Sequence, residues 1–108
     1  RMKQPLRTVL VTHEGTAAAA ILKQKLVHQI NEIDIVDQES FLSIQHCDLT
    51  NIDLIITTIE ISIKTKIPIL LINPLLHDYD ILRLKDAVKG YYNTKNDPIK
   101  RKTALYQQ

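Results

Sequence analysis

The sequence predicts an α/β fold, a single domain built on a parallel sheet, and three observations predict it. Short β-branched runs that are apolar on both parities alternate with stretches of helical period, the connections between them are only a few residues long, and a length of 108 residues suits one core. Arg7 to Thr12 (RTVLVT) is the first run, with the pattern of a strand covered on both faces, and therefore a central one. The turn His13-Glu14-Gly15 follows. Thr16 to Ile30 is then a helix with Thr16 as its N-cap and Ala17, Ala20, Ile21, Leu22, Leu26, Val27 and Ile30 marking its apolar positions. Ile33 to Val36 reads as the second strand, and Glu39 to Cys47 as a short helix with Phe41, Leu42 and Ile44 toward the core. Asp53 to Thr58 and Ile67 to Ile72 are the third and fourth strands, Pro68 standing near a strand start where its missing N–H is tolerated. From Asp78 to Gly90 a last helix shows Ile81, Leu82, Leu84 and Val88 on one side, with Asp78 suited to its start and Gly90 to its end.

Right-handed crossovers between such strands give the order 2-1-3-4, a flavodoxin-like three-layer sandwich occupying residues 1–90. Residues 91–108, with Asn93, Asn96, Asp97, Pro98 and then Lys100, Arg101 and Lys102, read as a solvated C-terminal tail. This order leaves the second and fourth strands at the margins. The fourth is long and apolar and is guarded at one end only, by Pro68, so it invites a partner: either the tail after Gly90 covers it, or the edge and the flanking face of the last helix are shared between copies in a twofold dimer, which is the expectation.

Composition narrows the function classes. Hydrophobic residues at 44% and charged residues at 24% are ordinary for a globular domain. A net charge of +2 does not imply a polyanion partner, and four tyrosines, one phenylalanine and no tryptophan offer few platforms for stacking on bases or sugars. One cysteine excludes an internal disulfide, and the chain shows neither a signal-peptide-like start nor an apolar run of about 20 residues, so a cytoplasmic location without membrane contact is expected. Arg1 precedes Met2, which reads as a piece cut from a longer protein.

In such sheets ligands sit beyond the carboxyl ends of the strands at the switch point, here the loop Thr12 to Ala18. Gly15 is its only glycine, too few for a dinucleotide loop. Lys23 lies too deep in the helix for a Walker loop, and Thr12 and Thr57-Thr58 stand where a receiver domain would hold acidic residues. A phosphatase loop would need a thiolate and a guanidinium, and the loop has neither. What survives is a weak anion site, a helix N-terminus beside Thr12, His13, Gly15 and Thr16, opposed by the carboxylate of Glu14. His28, His46 and His77 show no ligand spacing, so neither a metal nor a cofactor is expected. Cys47, followed by Asp48, reads as a structural thiol.

The stretches VLVTHEGTAAAAIL, IDIVD, NIDLIITT and IPILLINPLLHDYDILRLKDAV, spanning about Arg7 to Val88, resemble the enzyme IIB domains of the sugar phosphotransferase system. More closely they resemble the IIB-like domains of bacterial transcription regulators with sugar-system regulatory domains, including the Mga and AtxA type and mannitol-operon regulators. The Asn-Pro-Leu-Leu after the fourth strand is the most telling match. In working IIB proteins a cysteine at the end of strand one accepts phosphate, and the following loop donates N–H bonds to it. Thr12 stands at that position here, Gly15 matches a loop glycine, and Ala17 and Ala19 replace residues that are often glycine and serine. A threonine hydroxyl is a poor phosphate acceptor without a base. The resemblance therefore implies a degenerate regulatory domain without catalysis, acting through protein contact and homodimerisation or contact with other domains of the same regulator. Phosphotransferase-system proteins remain candidate partners, and DNA would be reached only through other domains. The alternative is an active subunit relaying phosphate through His13 or Thr12.

Overall fold

The computed structural model describes residues 4–13 and 16–96. Four parallel strands form one sheet in the order β2-β1-β3-β4, with β1 at Leu6–Thr12, β2 at Ile33–Ser40, β3 at Leu54–Thr57 and β4 at Ile69–Leu71. The helices are α1, Thr16–Gln29, and α2, Asp78–Asn96. This is the flavodoxin-like α/β order read from the alternation of runs. Thr8 to Val11 are fully enclosed because β1 has a neighbour on each edge and a covering layer on each face.

The two faces are covered by different means. The step from β1 to β2 runs one way across the sheet and the steps to β3 and β4 run the other way, so right-handed connections place α1 on one face and residues 41–53 and 58–68 on the opposite one. On the helical face Leu22, Leu26 and Ile30 join Leu84, Val88 and Tyr92 over Leu6, Leu10, Leu54 and Ile56. On the other face Val9, Val11 and Ile55 pack on Ile44 under a layer of irregular chain that includes Ile59, Ile61, Ile63 and Ile67. A 3-10 turn at Ser43–His46 is the only helical piece among the described residues of that layer.

Several details depart from the sequence reading. β2 runs on to Ser40, so the short helix shrinks to the 3-10 turn; Ile44 is buried, but Phe41 and Leu42 are exposed. In α1, Ala19, Leu22 and Leu26 face the core while Ala17, Ala20, Ile21 and Val27 face solvent, because only one side of the helix touches the sheet. In α2 the same reason leaves Leu82 outside. β4 is covered on one face only: Leu70 packs half-buried toward the helices, whereas Ile69 and Leu71 are 36% and 41% exposed. Finally, α2 does not stop at Gly90 but continues through Tyr91 and Tyr92 to Asn96, because Tyr92 still has core to cover. The remainder of the expected tail, residues 97–108, lies outside the described residues.

Candidate functional site

The carboxyl ends of the strands meet where the switch point was expected. A small cavity of about 180 Å³ is lined by Thr12, His13, Ala18, Ala19, Leu22, Thr58 and Pro74, so it is bounded by the end of β1, the first turns of α1, and the chain leaving β3 and β4. Thr12 is half-buried and His13 exposed. The structure thus brings Thr12 and His13 together with Thr58; Gly15 and the side chain of Thr16 lie outside the described residues. A wider, shallower depression of about 600 Å³ adjoins it, lined by His13, Ser40, Phe41, Leu42, Ile59 and Glu60. Its walls are largely apolar and its one carboxylate, Glu60, disfavours an anion.

The Thr57-Thr58 pair divides its work. Thr57 is buried; its hydroxyl donates to the Ile59 carbonyl at 2.7 Å and accepts from the Ile59 N–H at 3.2 Å, so it shapes the turn. Thr58 donates its N–H to the Val11 carbonyl and lines the cavity.

Pro74 reaches this cavity through a tightly organised turn, which accounts structurally for the Asn-Pro-Leu-Leu stretch. The Asn73 side chain accepts the Leu75 N–H at 2.8 Å, and Leu76, buried, takes a positive φ of 52°. Asp80 is buried in the first turn of α2 and reaches back to accept the N–H groups of His77 at 3.0 Å and Asn73 at 3.2 Å. Arg83 lies 3.9 Å from the same carboxylate and donates to the Leu71 carbonyl at 2.8 Å. His77 is therefore a helix cap, with its carbonyl receiving the Ile81 N–H.

A cluster missed by sequence reasoning lies on the other face of the sheet. The β1–β2 register shifts between Thr8 and Val9, so that Ile35 pairs with Thr8 but Asp37 with Val9. The extra residue, Val36, reverses which side chains face which layer. Ile33 and Ile35 point to the helices, while Asp37 and Glu39 point with Val9 and Val11 to the irregular layer, where Cys47 sits. The Cys47 Sγ lies 3.6 Å from Asp37 and 3.7 Å from Glu39. Burial first, and then the two carboxylates, push its pKa from 9.0 up to about 11. The sequence neighbour Asp48 is not the cause: its carboxylate is turned to the Thr50 N–H and hydroxyl, which hold its own pKa down. These three donor atoms lie within 4.8 Å of one another, a set that could hold a metal ion. The raised thiol pKa works against it, because a metal ligand must be a thiolate.

Compared with family models, curated proteins and solved structures, the chain matches none of them.

Proposed function

We propose that this chain is a IIB-like regulatory domain of a bacterial transcription regulator, lacking the phosphoacceptor and working through protein contact, including self-association, without catalysis. The observation that carries the reading is the end of β1. Thr12 offers a hydroxyl at the place where a phosphoacceptor thiol would be needed, and the chain's one cysteine is on the opposite face of the sheet with its pKa raised. Exposed Phe41, Leu42, Ile69 and Leu71 supply apolar surface of the kind that contacts proteins. A cytoplasmic location, and DNA contact made only by other domains, belong to the same proposal.

The test is incubation with the phosphorylated general carriers of a sugar phosphotransferase system, followed by mass measurement of the intact domain. An unchanged mass is expected. The gain of one phosphoryl group, lost again in a Thr12→Ala or His13→Ala variant, would replace this reading with an active relay through a non-cysteine acceptor.

A further inference from the structure

Between β3 and β4 the chain Ile59 to Ile67 (IEISIKTKI) carries a strand's pattern without a strand's partner. Ile59, Ile61, Ile63, Thr65 and Ile67 are half-buried and Glu60, Ser62, Lys64 and Lys66 are exposed, a strict period of two over the whole segment. The isoleucines rest on the second core. Yet among the described residues no backbone N–H or C=O of Glu60 through Lys66 makes a hydrogen bond within the chain. A row of β-branched residues with unpaired backbone is a template for strand addition.

The margin of the sheet itself is less available than the sequence suggested. β4 has only three residues; Pro68 lacks an N–H at one end, and at the other Arg83 already occupies the Leu71 carbonyl. The Pro68 carbonyl accepts the Ile55 N–H and the Ile72 N–H donates to the Thr57 carbonyl, both toward β3, so by alternation it is Ile69 and Leu71 whose backbone faces outward, and one of those two acceptors is taken.

We infer that residues 59–67 form the self-association surface, pairing antiparallel with the same segment of a second copy about a twofold axis at Ile63. The segment is self-complementary in that register. Glu60 falls opposite the partner's Lys66 and Ser62 opposite the partner's Lys64, while Ile59 falls opposite the partner's Ile67, Ile61 opposite the partner's Thr65 and Ile63 opposite its own copy, so each exposed glutamate meets a lysine and β-branched residues meet β-branched residues. The same pairing supplies backbone partners to the unpaired row. A groove of about 430 Å³ lies beside the first half of the segment, walled by Phe41, Ile59, Ile61, Ile69 and Leu71, and leaves room for the second strand. A twofold arrangement satisfies both copies with one patch. This inference rests on the self-association part of the function proposed above and names its surface.

Sedimentation equilibrium tests it on the wild type and on Glu60→Lys and Lys66→Glu, with far-ultraviolet circular dichroism to confirm that these exposed substitutions leave the fold intact. Each single variant opposes like charges at both ends of the ribbon and is expected to raise the dimer dissociation constant by about tenfold or more. An equimolar mixture of the two variants recovers association, since every opposed pair in the mixed dimer is again of opposite sign. A wild-type dimer indifferent to both substitutions, or weakening without recovery in the mixture, overturns this surface and leaves self-association standing elsewhere. A wild type that stays monomeric up to about 100 µM, an affinity weaker than about −5.5 kcal/mol, overturns the surface and self-association together.

Discussion

The Tyr91 hydroxyl donates to Asp53 Oδ1 at 2.8 Å, and the other oxygen of that carboxylate accepts the Arg7 N–H at 2.9 Å. One side chain thus ties the late turns of α2 to β1 and to the entry of β3. Next to it, buried Tyr92 donates to the Gln4 carbonyl, so the helix beyond Gly90 is structural. Tyr91→Phe is expected to cost about 1 kcal/mol and Tyr92→Ala about 3–5 kcal/mol by analogy with other large aromatics. Urea titration of both, and of a chain ending at Gly90, checks this; full stability in the shortened chain would contradict it.

Gly90 offers a sharper test of where the helix ends. A Cβ added there meets nothing within 4 Å, and the residue lies inside α2. Gly90→Ala should therefore stabilise the protein by about 0.5–1 kcal/mol, through the lower entropy of the unfolded chain and better helix propensity. A left-handed helix terminus at this position would give the opposite sign, so the direction of the shift in thermal midpoint decides.

Cys47 should leave a signature in alkaline stability. Its folded pKa, about 11, is above the ordinary 9.0, so the folded state holds the proton more tightly than the unfolded state does. The contribution is fully present below pH 9 and is lost as pH rises toward and through 11. Cys47→Ser removes the titrating group, and the stability difference between it and the wild type should change over that window and stay constant below it. Asp37→Asn with Glu39→Gln should lower the pH at which the thiol becomes reactive.

Thr12→Cys would place a thiol beside the start of α1, where the helix end favours the thiolate. At neutral pH it should alkylate faster than Cys47, which burial and two carboxylates keep protonated. Equal rates, or a faster Cys47, would show that the end of β1 is not the anion-favouring position assigned to it.

Two core truncations should separate the central and marginal strands. Ile55 is fully enclosed on β3, and Ile55→Ala should cost about 2–5 kcal/mol. Leu70, at the margin and half-buried, should cost less when truncated to alanine. Equal losses in denaturant titration would mean that β4 is covered on both faces.

What the sequence determined by itself is the order of elements and the enclosure of the central strands. Runs apolar on both parities at Thr8 to Val11 and Leu54 to Thr57 have only one stable environment, a sheet covered on both faces, and short connections between parallel strands leave little freedom of topology. The alternation in Ile59 to Ile67 was equally visible in the residues, but its meaning depended on finding no neighbouring strand to pair with, which is a fact of three dimensions. Tertiary structure alone decided the rest. Whether Ile21, Leu82 or Leu71 is buried depends on how wide a stripe of each element the sheet can cover, and local sequence carries no measure of that. Helix α2 passes Gly90 because the tyrosines beyond it reach Gln4 and Asp53, distant residues whose hydrogen bonds and burial outweigh about 1 kcal/mol of glycine propensity. Asp37 and Glu39 meet Cys47 because one extra residue in β2 reverses the facing of everything after it, a change of register that only the pairing with β1 defines.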